Sequence, residues 1–537
     1  MDSGTHVSVE VQAGPEGIGQ LEGQLRDQVE AIIGFSKEDS HASLLAFERA
    51  LWPLVCVVFR LAVALFLATK HRRLDVSGWL DHWKVERNFA RRTIQTLCGA
   101  VTFGRVYLRP RRGKGNGWFP LDAALGITAD GFSWRVIEIT TRLATRVSYA
   151  ASHGLMKAML GWAPSTEAIE SLAIGLGSRA AAFVECQGPF EDDGEVLVIE
   201  VDGKAIPTAT EAEMQARCRP RKGSKKCGCG SKKCQRHRGR KKHKGKDKKK
   251  RKKRGHNSKN GKSATLVAMY TLRRGEDGKL HGPINKKIWG RFGSRHDAIR
   301  WARGQAERRG FGPGTDKVVQ IVIDGEKCLR KRFEEQFPKT DYPQVVITLD
   351  VRHAQERLWK IGRLFHEEGS EELAGWVEPL QTLLFGGRIK TLLDRLRRVY
   401  ESIPKRGPNT KKKREELEKH IAYFEEREPI MHYAEYQRAD LVLATGVIEG
   451  ACRYVIGERL DCSGMRWGLP GAEPLLQLRC LELNGDWEAF IDWAEHTYQA
   501  EQLEQKLVQV RYKKPKPKKK AKKKNPKKSA TTESTAA

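Results

Sequence analysis

Apolar positions in the second half of this chain recur in runs with strand-like and helix-like spacing. The run Val196-Leu-Val-Ile-Glu-Val201 predicts a strand from Glu195 that ends at Asp202. Ala264 to Leu272 predicts a second strand, and Lys287 to Phe292 a weaker third. A helix is expected over His296 to Arg309, then a strand over Lys317 to Ile323 that ends at Asp324. A helix over Glu326 to Phe337 and a strand over Gln344 to Leu349 follow, with Asp350 at the strand end and a helix over His353 to Phe365. The order is three strands, helix, strand, helix, strand, helix.

The flanking segments read differently. Residues 1 to about 40 look polar and partly disordered, and residues 41 to 75 form a strongly apolar helix. Within it, Leu51 to Thr69 competes as a membrane span, but Arg60 interrupts the run and Glu48 and Arg49 lead into it. A buried or interface helix is the better reading. Thr93 to Val101 followed by Thr102 to Leu108 reads as a hairpin. Arg135 to Phe183 is helical and breaks at Gly161-Trp-Ala-Pro-Ser165, where Ser165 can cap the next helix. That pattern fits a DNA-reading helix-turn-helix, or a helical hairpin that only packs. A charged helical region from about Glu367 to Tyr436 separates the last strand from Gly446-Val-Ile-Glu-Gly450, and Glu473 to Leu483 closes the pattern.

Charge sharpens this picture. The net charge is +32, yet Arg217 to Arg254 alone holds 22 Lys or Arg against one acid, Asp247. Lys513 to Ala537 is a second lysine-rich run, so the rest of the chain is close to neutral. Two basic runs on a neutral body suggest non-specific phosphate contacts, with Lys248, Lys249, Lys250 and Arg251 in the densest stretch. The basic run holds Cys218, Cys227, Cys229 and Cys234, with His237 and His243 nearby. Thiolate and imidazole suit Zn²⁺, but the spacing matches no standard finger, and a phosphate-binding loop is the alternative. The 11 cysteines show no regular framework and no signal peptide precedes them, which fits a cytoplasmic setting.

Four domains are expected: an N-terminal helix and hairpin region over 1–130, and a helical region over 131–190. A catalytic domain over 191–500 would carry a basic insertion at 212–263 and a helical insertion at 367–440, before a disordered tail over 501–537. Aspartate after an apolar strand is also ordinary turn chemistry, so the argument rests on joint placement. The element order is that of an RNase H-like fold, in which the first and fourth strands are adjacent. Asp202 and Asp324 would then converge, with Glu449 supplied by a helix. Asp350 is the rival second ligand; Asp350 with His353 could instead position substrate, or Asp350 could simply cap the helix that follows it.

The segments Asp324-Gly325, Phe337-Pro338 and Asp350-Val-Arg-His353 resemble the second half of Mutator-like DDE transposases. Gly446-Val-Ile-Glu-Gly-Ala-Cys452 and Arg459-Leu-Asp-Cys-Ser-Gly-Met-Arg-Trp467 are similar to the ISKra group of bacterial insertion-sequence transposases. Gly471 to Arg479, Thr102 to Leu108 and Phe119-Pro-Leu-Asp122 fit the same group. The resemblance implies a cut-and-join enzyme for its own element's DNA ends, acting as a dimer or larger assembly. It implies Asp202, Asp324 and Glu449 as ligands of two Mg²⁺ or Mn²⁺ ions. Arg466 and Trp467 would touch DNA by phosphate contact and base stacking, with Arg453 beside them, while core packing is the alternative for Trp467. The competing classes are a transposase-derived DNA-binding protein and an RNase H-like nuclease that does not join. Where relatives carry cysteine pairs, this chain has Arg109-Pro-Arg-Arg-Gly-Lys-Gly-Asn-Gly117 instead.

Overall fold

The computed structural model describes residues 9–11, 15–38, 43–86, 89–111, 116–213, 261–462 and 465–511. The basic run, with its cysteines and Lys248 to Arg251, and the lysine-rich tail lie outside the described residues. The chain divides into two compact units, 1–133 with 495–537, and 134–494.

The first unit is a helical pair on a small sheet. Strand β1 (Val9–Val11) precedes helices α1 (Pro15–Lys37) and α2 (Leu44–Arg73). The polar start therefore contains a 23-residue helix, which the sequence reading did not expect. Strands β2 (Trp83–Val85), β3 (Ala90–Thr96), β4 (Gly99–Arg105) and β5 (Leu108–Pro110) lead into the short helix α3 (Pro120–Ala124). The β3–β4 hairpin turns at Leu97-Cys98, earlier than expected, with Gly99 at φ 107°, where only glycine sits without strain. One face of α2 packs Leu61, Ala64, Leu67 and Ala68 against Ile94, Val101 and Phe103 of this sheet. Asp122 is held between Arg92, at 2.6 Å, and Arg105, and the Arg105 guanidinium lies 3.4 Å from the Phe119 ring centre. The hairpin motif and the Phe-Pro-Leu-Asp motif thus form one buried cluster. Burial, then the neighbouring Arg92, pushes the Arg105 pKa down to about 9.

The second unit opens with helices α4 (Trp134–Arg146), α5 (Tyr149–Leu160), α6 (Thr166–Gly177) and α7 (Ala180–Cys186). Ser165 caps α6 as expected, its Oγ accepting from Ala168 N at 3.2 Å. The inner face of α6 buries Ile169, Leu172 and Leu176. Its outer positions include Glu167 and Glu170, and the helix holds no lysine or arginine. Such a surface repels phosphate, so a DNA-reading role for α6 finds no support, and packing accounts for it.

The central sheet is mixed. Strands β6 (Val196–Pro207), β7 (Gly261–Arg274) and β8 (Leu280–Phe292) form an antiparallel meander. Helix α8 (Arg295–Arg308) leads to β9 (Val318–Ile323), and α9 (Lys327–Gln336) to β10 (Val345–Leu349). The spatial order is β10-β9-β6-β7-β8, with β9 parallel to β6 and β10 parallel to β9. Strand β6 runs through Asp202 to Pro207, rather than ending there, because β7 pairs with it all the way. Helix α10 (Val351–Gly362) follows, then α11 (Glu371–Phe385), α12 (Ile389–Ser402), α13 (Thr410–Arg427) and α14 (Tyr433–Arg438). These helices share one continuous core with Leu197, Ile199 and Val201 of β6 and Ile321 and Ile323 of β9. The other sheet face receives α15 (Gly446–Ala451), a π-helical turn over Cys452–Gly457, and α16 (Leu469–Asn484). The long α17 (Trp487–Arg511) ends the described chain.

Candidate functional site

Parallel register lines up three aspartates. Glu200 of β6 pairs with Val322 of β9, so two residues further Asp202 stands beside Asp324. Leu349 of β10 pairs with Ile323, so one residue further Asp350 stands on the other side of Asp324. The backbone N–H of Asp350 still donates to Ile323 O at 2.8 Å, which keeps that register to the strand end. Side chains in one row of a sheet share a face. Adjacent strands lie about 4.8 Å apart, so the row spans about 10 Å.

The segment carrying Glu449 crosses that same face on three buried polar anchors. Gln320, Glu200 and Asp350 are each fully buried. Gln320 Nε2 donates to Val442 O at 2.6 Å, and its Oε1 accepts from Val442 N at 2.9 Å. Asp350 Oδ2 accepts from Thr445 N at 3.1 Å and from the Thr445 hydroxyl. Glu200 Oε2 accepts from Ile448 N at 2.8 Å, while Oε1 accepts from the Tyr270 hydroxyl at 2.7 Å. An unpaired buried polar group costs about 1–3 kcal/mol, so each anchor both needs and fixes its partner. Sequence reasoning missed Gln320 and Glu200 as positioning residues. Their signal was a polar residue inside an otherwise apolar strand.

The four acids do not share one environment. Asp350 caps α10, with Oδ1 accepting from Arg352 N at 2.7 Å. Both its oxygens are therefore committed to the fold. Burial alone would raise its pKa, but His353, Thr445 and Arg352 together hold it below the usual carboxylate range. His353 Nδ1 sits 3.4 Å from Asp350 Oδ2, an ion-pair contact longer than a good hydrogen bond. That contact, with Asp324 also nearby, raises the His353 pKa. Asp202 and Asp324 are half-buried. Asp202 Oδ1 accepts from Gly203 N at 2.6 Å, and its carboxylate also meets the Cys452 thiol. Asp324 Oδ1 accepts from Glu326 N at 2.9 Å, and among the described residues its second oxygen accepts no hydrogen bond. Glu449 is exposed, 3.9 Å from Arg352 Nη1.

Asp350, His353 and Glu449 each offer a ligand atom within 4.8 Å of the other two, an arrangement that could hold a metal ion. Asp202 and Asp324 are not in that group, although the sequence reading placed them ahead of Asp350. Burial dominates at Glu200, whose pKa rises to about 7, with Asp350 and Glu449 adding to the shift. Burial also pushes the Cys452 thiol up, with Asp202 contributing.

A scan of protein-family models matches none of them to this chain, and no curated protein matches it either.

The expected DNA contacts divide. Arg453 and Arg466 are exposed. Trp467 is buried, its indole N–H donates to Leu460 O at 2.9 Å, and Arg459 lies 5.0 Å from its ring centre. Its backbone N–H donates to Pro207 O at 3.1 Å, tying the segment to the end of β6. Base stacking needs an open ring face, so here Trp467 is a packing residue instead. Arg466 and Trp467 line a cavity of about 780 Å³ with Tyr149 and Arg459.

Proposed function

We propose that this chain is a DDE transposase, which cuts the ends of a DNA element and joins them to a target. The observation that carries the reading is the aspartate row with Glu449 delivered to the same sheet face. The β10-β9-β6-β7-β8 order with parallel β9 and β10 supports an RNase H-like catalytic domain. Carboxylate oxygens are the donors that Mg²⁺ and Mn²⁺ take, and His353 adds one imidazole at the edge.

Asp202, Asp324 and Glu449 would hold the ions, since Glu449 is exposed and Asp324 has an oxygen that accepts no hydrogen bond among the described residues. Asp350 positions Thr445 and so Glu449, rather than binding metal itself. When bound there, two such ions would lower the pKa of an attacking oxygen and stabilise the leaving one. The chain's part is to align the scissile phosphate over the aspartate row. Water would attack first, breaking the P–O3′ bond to leave a 3′-hydroxyl and a 5′-phosphate; that 3′-hydroxyl would then attack a target phosphate in the same geometry and displace a target 3′-hydroxyl. Arg352, Arg453 and Arg466, all exposed, would hold flanking phosphates. We place the protein in the cytoplasm, on DNA, with a second copy for the second end.

The test is a strand-transfer assay on the element's ends with Mg²⁺, comparing Asp202→Asn, Asp324→Asn, Glu449→Gln and Asp350→Asn. The first, second and third should each lose at least about 100-fold in both cleavage and joining. Full activity in Asp324→Asn with loss in Asp350→Asn would reverse the second-ligand assignment. Cleavage without joining by the wild type would reduce the reading to a nuclease.

A further inference from the structure

Helix α2 presents an apolar stripe on the side away from its sheet. Leu45, Trp52, Phe59 and Phe66 recur every seven residues, and all are exposed, Phe66 at 51%. Three residues after each come Glu48, Val55, Ala62 and Thr69. This is a heptad seam, the spacing with which one helix meets another. The sheet-facing side carries Leu61, Ala64, Leu67 and Ala68 instead, so the two stripes are distinct.

We propose that two copies of this chain dimerise by packing their α2 helices antiparallel along this seam. The register is self-complementary. Leu45 meets Thr69, Trp52 meets Ala62, Phe59 meets Val55, and Phe66 meets Glu48 of the other copy. Each bulky side chain then faces a smaller one. A parallel pairing would stack Trp52 on Trp52 and set Glu48 against Glu48. In the antiparallel register Glu48 also comes within one turn of the other copy's Lys70, whose ammonium now rests 5.5 Å from the Phe66 ring centre. The two-fold axis falls beside Val57, so Val55 to Thr69 of one copy lies along Leu45 to Phe59 of the other.

A bilayer is the weaker occupant. Arg60 is buried at the helix centre, with Nε donating to Cys56 O at 3.2 Å, and the opposite stripe is already covered by the sheet. The exposed apolar seam amounts to roughly 400–450 Å² per copy, taking about 200 Å² for each aromatic side chain. Roughly 900 Å² in total falls below the area of stable specific interfaces and within that of weak, transient ones, so the dimer should be reversible. This inference does not depend on the catalytic reading.

The experiment is sedimentation equilibrium of the full chain up to roughly 50 µM, where a Kd of micromolar order shows as a monomer–dimer mixture. Phe59→Ser should weaken the dimer at least about 100-fold, since each interface loses two such rings. Glu48→Lys and Lys70→Glu should each weaken it about fivefold, and the double charge reversal should restore it. These two sites are exposed, so the rescue reads out pairing rather than folding. A wild type that stays monomeric, or a dimer indifferent to all four variants, overturns the proposal. Binding of a monomeric wild type to phosphatidylcholine vesicles, lost in Phe59→Ser, overturns it in favour of a lipid surface.

Discussion

Asp324 and Asp350 both follow an apolar strand, yet their surroundings differ in kind. Asp350 is fully buried with three described groups donating to its carboxylate, whereas Asp324 is half-buried and keeps one oxygen open. Asp350→Asn should therefore cost about 2–3 kcal/mol of stability as well as activity. Asp324→Asn should leave the unfolding midpoint nearly unchanged. Urea titration of the two variants checks this, and equal destabilisation would contradict it. Glu200 adds a pH signature. Its folded pKa of about 7 is above its ordinary value of 4.5. Stability from this group is full below pH about 4.5 and lost as pH rises through about 7, on the order of 3 kcal/mol in all. Glu200→Gln removes that loss. Measured in EDTA, the stability gap between wild type and Glu200→Gln should change across this window, and a constant gap counts against it.

At the scale of elements, the delivery of Glu449 depends on Gln320, which lies four residues before Asp324 on β9. Its amide closes both a donor and an acceptor of Val442 in a buried setting. Gln320→Leu leaves those two backbone groups unpaired and should cost about 2–4 kcal/mol. At temperatures where the variant stays folded, its kcat should fall while DNA affinity holds. Unaltered kcat would mean that the Val442 to Ile448 segment finds its place without this anchor. The strands and most helices of the second unit were legible from apolar period alone within a few residues, except that β8 starts at Leu280, seven residues before the expected Lys287. Helix α1 was not, because Gly17, Gly19, Gly23 and Gly34 lower its helix propensity, although Ile18, Leu21, Leu25 and Val29 recur at helical spacing. The end of β6 was also missed, since Asp202-Gly203 looks like a turn while β7 continues to pair with it.

For the whole molecule, the strand ends that flank the basic run stand apart from the aspartate row. Pro207 and Gly261 are the last ladder partners of β6 and β7, so the basic run leaves and re-enters the sheet at one point. Asp202 is five residues back along β6, about 17 Å. Removing residues 217–254 should therefore preserve the sheet. It should flatten the salt dependence of non-specific DNA binding while cleavage at low salt persists. A slope unchanged by the deletion would remove the run from phosphate binding.

The sequence by itself determined the strand and helix order, the acids that follow apolar runs and the two basic runs. Those features are local, written in period and composition. Only the tertiary structure decided which acids are neighbours, because register joins β6 to β9 across 122 positions and β9 to β10 across 26. It also decided that Asp350 caps a helix and holds Thr445, that Glu449 arrives over three buried anchors, and that Trp467 packs inside. Burial and partner geometry set these roles, and neither can be read from one residue and its chain neighbours.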